Sequence, residues 1–277
     1  MKLQFLGTAA AEGIPALFCE CDTCKEAMRR GGKNLRTRSQ AIVDDCLLID
    51  FPADTYAHYV AYRFPMEKIT SCIITHSHLD HLYAPEICVR KKGFSHLKDQ
   101  KPLTFFADRS SYDMLNEEIE TCRVPEETAK TVLISPYVPF ETEGYTITAI
   151  RASHDPKSTP VVYLIEKEGK VMFYVNDTSD FDEEGWTYLA QYGKKIDLVS
   201  YDCTEANSHI EYVGHMCLER CVAMREKMKS LGLVDDNTIG VLNHFSHNGD
   251  SVLYEEFSEI AAKEGFLVSY DGMIINF

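Results

Sequence analysis

The chain has 277 residues, 45% of them hydrophobic, which is enough to bury a sizeable core as one large domain or two small ones. Its 28 lysines and arginines against 43 acidic residues give a net charge of −15, which disfavours unassisted binding to long nucleic acids or anionic membranes. A small anionic substrate stays compatible with that charge, because bound cations dominate the local field of a site.

No apolar run reaches transmembrane length, and Met1-Lys2-Leu3-Gln4 lacks the basic stretch and apolar run of a signal peptide. The expectation is a cytoplasmic protein that does not engage membranes. In that reducing setting the ten cysteines read as buried thiols or metal ligands rather than disulfide partners. Cys46, Cys72, Cys88, Cys122, Cys203, Cys217 and Cys221 are scattered, several within apolar segments, and read as buried thiols. Cys19, Cys21 and Cys24 are clustered and need another account.

Without a repeat, a low-complexity tract or a Pro/Gly/Ser-rich linker, residues 1–277 read as a single domain. In chain order, a strand is expected over 2–6, a helix over 23–30, strands over 41–50 and 69–75, and a helix over 82–92. A strand over 103–107 and a helix over 110–120 follow, then strands over 145–151, 161–166 and 171–176. The remainder alternates a helix over 182–192, a strand over 197–201, a helix over 215–231, a strand over 238–243, a helix over 252–264 and a strand over 267–270. Many strands with interspersed helices and no strict alternation point to a layered α/β architecture.

Where the strand over 69–75 ends, Thr75 to His81 reads T-H-S-H-L-D-H. Alternate residues of an extended segment point the same way, so His76 and His78 can share one metal while the following turn aims Asp80 and His81 at a second. Further candidates stand at later strand ends: His154-Asp155, Asp177 and His244. Imidazoles and carboxylates gathered at one sheet edge suit zinc, manganese or iron, and an aspartate can bridge two ions. Asp202 also follows an apolar run and rivals Asp177 for the bridge. The C-E-C-D-T-C cluster offers three thiolate arms of a tetrahedral zinc site, with His247 of N-H-F-S-H-N a candidate fourth ligand.

These residues resemble the metallo-β-lactamase superfamily, whose fold is a four-layer αββα sandwich and whose signature is H-x-H-x-D-H plus three later ligands. The resemblance implies His76, His78 and His154 on one metal, Asp80, His81 and His244 on the other, and Asp177 as the bridge, with Asp202 in support. Asp50 matches the family's early buried aspartate behind the site, although Pro52 after Phe51 replaces the usual glycine.

The triad of Cys19, Cys21 and Cys24 with His247 is similar to the structural zinc site of the phosphoribosyl cyclic phosphodiesterase branch, and Gly7-Thr8 and Gly13-Ile14-Pro15 extend the match. That branch implies two divalent catalytic metals, one structural zinc and a small cyclic phosphodiester as substrate. It implies attack by a metal-bridging hydroxide, with Asp80 among the catalytic ligands and His215 as the acid that protonates the leaving group. A homodimer is common among such relatives. A tRNA 3′-processing endonuclease shares the active-site motifs but usually carries a basic arm that is not visible here, and a non-catalytic metal protein on the same fold is the third reading. His58, His96 and His209 fit no ligand pattern and read as ordinary. Residues 94–102 and 120–139 are the expected lids.

Overall fold

The computed structural model describes residues 1–98, 101–209 and 214–277. One seven-stranded sheet is built from β1 (Lys2–Gly7), β2 (Gln40–Val43), β3 (Leu47–Ile49), β4 (Ser71–Ile73), β5 (Leu103–Ala107) and β6 (Ala129–Leu133), completed at its other edge by the last strand of the chain. The second contains β7 (Phe140–Thr142), β8 (Tyr145–Arg151), β9 (Val161–Lys167), β10 (Lys170–Val175), β11 (Leu198–Asp202), β12 (Ile239–Asn243) and β13 (Leu267–Val268). The last strand, β14 (Ile274–Asn276), lies antiparallel beside β1.

Each sheet is apolar on both faces. In β1, Leu3 and Phe5 meet Ile147, Tyr163 and Met172 of the opposite sheet, while Leu6 faces outward into a separate cluster. In β9, Tyr163 and Ile165 face inward and Val162 and Leu164 outward. Side chains alternate with period two, so only a sheet covered on both sides produces such continuous hydrophobic runs. The covers are α2 (Thr55–Tyr62) and α3 (Arg109–Cys122) on the first sheet, and α4 (Glu183–Tyr192), α5 (Leu218–Ser230) and α6 (Tyr254–Lys263) on the second. The result is the expected α/β arrangement, an αββα sandwich, in which each buried Leu, Ile or Phe contributes ~1.5–3 kcal/mol relative to exposure. A further helix, labelled α1 (Asp22–Arg30), opens within the cysteine cluster, with Cys21 as its N-cap and Cys24 in its first turn.

Several expectations need correction. The strand expected over 41–50 is a hairpin, β2 and β3, because Asp44 and Asp45 take left-handed backbone at φ 48° and 57° and turn the chain. Residues 82–92 form no α-helix but a 3₁₀ segment, Ala84–Arg90, on which only Ala84 and Ile87 are buried. That three-residue spacing suits i to i+3 turns. Strands β6, β7 and β14 and helix α2 went unanticipated: β6 is a largely exposed edge strand, β7 and β14 have three residues each, and α2 is rich in aromatic and β-branched residues. The helix expected over 215–231 begins only at Leu218, which leaves His215 in the preceding loop.

The cysteine expectation also changes. Cys88 and Cys122 form a disulfide that fastens the 3₁₀ segment to the end of α3. Cys72, Cys203, Cys217 and Cys221 are buried thiols, and Cys46 is partly buried. Among the described residues, no helix is long and apolar enough to cross a membrane.

Candidate metal centre and catalytic cavity

β8, β10, β11 and β12 run in the same direction, so the segments after them emerge at one edge, and Val161 N–H donates to Thr75 O at 2.9 Å to bring the loop after β4 alongside. Asp50, Asp177 and His244, the first residues past β3, the Val171–Asn176 run and β12, all adopt left-handed backbone with φ 68°, 54° and 65°. A non-glycine residue held there costs of order 1–3 kcal/mol, a type of strain that clusters at functional sites.

Hydrogen bonds assign the free nitrogen of most of the rings. His154 Nδ1 donates to Gly214 O at 3.1 Å, leaving the Nε2 lone pair 3.1 Å from His78 Nδ1. His81 Nδ1 donates to Asp50 Oδ2 at 2.7 Å, so its Nε2 lone pair faces Asp177 Oδ2 at 3.1 Å, Asp80 Oδ2 at 3.2 Å and His244 Nε2 at 3.3 Å. Thr204 Oγ1 donates to Asp202 Oδ1 and therefore accepts from His244 Nδ1 at 2.9 Å, which turns His244 Nε2 toward Asp177 Oδ2, 3.2 Å away. His76 Nε2 and Asp177 Oδ2 are buried with no hydrogen-bond partner.

Lone pairs and carboxylate oxygens aimed at one another repel unless a cation lies between them. Tetrahedral ligands with bonds of about 2.0–2.1 Å stand about 3.3 Å apart, the scale of the separations seen. The donor atoms of His76, His78 and His154 form one set that can hold a metal, and those of Asp80, His81 and His244 form another. Asp177 stands between them, with Oδ2 toward His81 and His244 and Oδ1 3.8 Å from His154 Nε2. Electrostatics agree. Burial raises the Asp80 and Asp177 carboxyls, but the neighbouring histidines outweigh it and hold both well below the usual range. Burial lowers His81, yet Asp177, Asp80 and Asp50 together push it well above its ordinary value. The site demands positive charge at its centre, and divalent cations fit its donors.

Asp202 resolves differently from its rival. It accepts from Thr204 N–H at 3.0 Å, Thr204 Oγ1 at 2.9 Å and Met216 N–H at 3.2 Å, and it takes a fourth bond from His215 Nδ1 at 2.8 Å. Asp202 also lies with Asp177, His215 and His244 in a group within reach of one ion, but its carboxylate is already occupied by these four donors and fixes the His215 ring. His215 shares a cavity of about 850 Å³ with His78, Asp80, His154, Asp177 and His244, and its wall also carries Glu12, Lys157, Glu205 and Asn248; His76 and His81 are fully buried and do not line it. None of the described residues of 94–102 or 120–139 lines it, contrary to the expected lids. Residues 101 and 102 lead into the first residue of β5, which pairs parallel to β4, and so lie at the sheet end remote from His76; residues 99 and 100 of the expected lid lie outside the described residues. Asp155, named with His154 from sequence, accepts from His78 at 3.3 Å and steadies that ring.

The cysteines converge with His247 as expected. Cys19 and Cys21 sulfurs lie 3.6 and 3.5 Å from His247 Nδ1, and Cys24 completes a set of four donors within 4.8 Å of one another. One zinc with S and N ligands at about 2.3 and 2.0–2.1 Å would set the sulfur–nitrogen separation near 3.6 Å. Cys21 caps α1 by accepting from Cys24 N–H at 3.4 Å; this bond, with His247, draws its thiol down to about 6. Of the histidines expected to fit no ligand pattern, His58 is buried against Gln40 and Thr37, and His209 is exposed.

The family described as "Beta-lactamase superfamily domain" matches residues 47–234. Zinc-bound PqqB from Methylobacterium extorquens has a similar structure, with TM-score 0.77 and 19% identity over 100% of both chains. A diphosphatase from the PhnP family shows TM-score 0.75 and 19% identity over 100% of this chain and 97% of that one. Human tRNase Z, short form, shows 0.67 and 18% over 100% and 99%. No curated protein matches by sequence. On the family match, the shared fold and the converged histidines and aspartates, the chain belongs to the metallo-β-lactamase superfamily of hydrolases and carries a site for divalent metal.

Proposed function

We propose that the protein is a dinuclear metal-dependent phosphodiesterase whose substrate is a small cyclic phosphodiester of the ribose type. The observation that carries this reading is the pairing of His215 with Asp202 on the wall of the cavity, together with the separate cluster of Cys19, Cys21, Cys24 and His247. His76, His78 and His154 would hold one catalytic ion, Asp80, His81 and His244 the other, with Asp177 between them; zinc and manganese, and iron after them, suit these donors. The cysteine cluster would hold a structural zinc, closed to water.

Cations at the paired sites lower the proton affinity of water and neutralise charge on a phosphate ester. The chain's own groups do the rest. Asp50 and Thr204 fix the tautomers of His81 and His244, keeping a lone pair on each Nε2. Asp202 holds His215 by Nδ1, so the proton for the departing alkoxide comes from Nε2. Lys157, the one lysine or arginine on the cavity wall among the described residues, would grip a phosphate oxygen.

A tRNA 3′-processing endonuclease shares the fold, but a cavity wall carrying Glu12, Asp155 and Glu205 against a single lysine, on a chain of net charge −15, disfavours a polyanion. A non-catalytic metal protein is disfavoured by the full donor set. The test is a substrate profile with zinc and manganese supplied separately, over a chromogenic phosphodiester, ribose cyclic phosphate, precursor tRNA and a thioester. Turnover of the chromogenic phosphodiester and ribose cyclic phosphate without precursor tRNA or the thioester supports the proposal, cleavage of precursor tRNA supports the endonuclease reading, and full metal occupancy with activity on none supports a non-catalytic role.

A further inference from the structure

We propose that Glu12 is a positioning residue that joins the thiolate cluster to the catalytic cavity. Its Oε1 accepts a hydrogen bond from Ser246 Oγ and lies 3.7 Å from His247 Nε2. The opposite nitrogen of that ring, Nδ1, faces the sulfurs of Cys19 and Cys21. A metal held by the thiolates takes the Nδ1 lone pair and leaves the ring proton on Nε2, the side of Glu12, in the carboxylate–histidine–metal arrangement that orients ligands and raises their basicity. The same carboxylate lines the cavity beside Ser246 and Asn248, and Asn248 N–H donates to Ser246 Oγ at 3.1 Å. Ser246 and His247 follow His244 in one loop, which Phe245 ties to the N-terminal loop by exchanging backbone hydrogen bonds with Thr8 and Ala10. One acidic side chain therefore touches a cluster ligand on one side and the substrate space on the other.

The chemistry gives the coupling a direction. While His247 is held by a cluster metal, Glu12 is drawn to Nε2 and Ser246 and away from the cavity. Without that partner only the Ser246 hydroxyl holds it, and its charge turns more readily toward the cavity and repels a phosphate. The inference rests on the phosphodiesterase reading only through the phosphate used as a probe.

The protein is loaded with cobalt, whose thiolate-to-metal absorption reports only on the cysteine site, and challenged with a chelator. In Glu12→Gln that absorption should decay ~10-fold faster than in the wild type, the low end of the effect of removing such a partner. Calorimetry then measures inorganic phosphate binding across a double-mutant cycle. Cys21→Ser should weaken phosphate binding several-fold in the native background and by less than about twofold in the Glu12→Gln background. Wild-type cobalt release from Glu12→Gln, or equal weakening in both backgrounds, overturns the proposal. Should Cys21→Ser fail to fold, the cobalt release decides alone. A complete absence of phosphate binding counts against the phosphodiesterase reading, and cobalt release still decides this one.

Discussion

His215 donates through Nδ1 to Asp202 Oδ2 at 2.8 Å, and Asp202 is locked in place by three further donors from Thr204 and Met216. Burial lowers the affinity of His215 for its proton, but the charge and hydrogen bond of Asp202 outweigh it, with Asp177 and Glu205 adding, and raise its pKa to about 9. A proton donor must be protonated, so activity falls as pH rises through that pKa. Asp202→Asn removes the largest raising influence, and the alkaline limb of kcat should move to lower pH. His215→Ala should lower kcat by ~10²–10⁴-fold with metal content unchanged. Coincident alkaline limbs in wild type and Asp202→Asn would remove the pair from the proposed mechanism.

Asp50 is fully buried behind His81 and receives its Nδ1–H at 2.7 Å, along with Thr75 N–H at 2.8 Å. Asp50→Asn weakens the fixed tautomer and the orientation of a ligand that faces both Asp80 and Asp177. Metal affinity should fall ~10–100-fold, read by competition with a chelator. An unchanged affinity contradicts the role given to this hydrogen bond.

Cys21 both caps α1 and points its sulfur at His247. Cys21→Ser should release about one zinc per chain by elemental analysis and lower Tm, because a closed structural site contributes folding energy directly. Retention of both metal content and Tm would show that the cluster holds no ion.

Gly214 has φ 102°, and a Cβ there would stand 2.9 Å from His154 Nδ1. Gly214→Ala should displace His154 from its bond to the Gly214 carbonyl and reduce activity and catalytic metal affinity by ~10-fold or more. Gly93→Ala, with φ 104° and nothing within 4 Å, carries comparable backbone strain away from the site and serves as the control. Equal losses in the two variants would mean that strain, not the His154 contact, is responsible.

Among the described residues, Lys157 is the one lysine or arginine on the cavity wall. Lys157→Ala should raise KM for a chromogenic phosphodiester ~10-fold, the value of a charge-assisted hydrogen bond, with kcat changed by less than about twofold. A fall confined to kcat would place Lys157 in the chemical step instead.

Much of the centre was legible in the sequence where the chemistry is local. His76, His78, Asp80 and His81 lie within six residues after a strand, and the alternation of an extended segment followed by a turn suffices to divide them. The later ligands were legible only as residues past apolar runs, and the choice between Asp177 and Asp202 rested on resemblance. Their hydrogen bonds separate them: Asp202 is filled by four donors, whereas Asp177 Oδ2 has none.

By itself the sequence determined which ligand types exist, their local order and the apolar runs of a sheet covered on both faces. Those depend on neighbours a few residues apart and on backbone period. Tertiary structure alone decided the Cys88–Cys122 disulfide, the hold of Asp202 on His215 and the double contact of Glu12. Each joins residues far apart in the chain. Such pairs meet because parallel pairing brings successive strand ends to one edge, and that register is set by packing two sheets together rather than by any one segment.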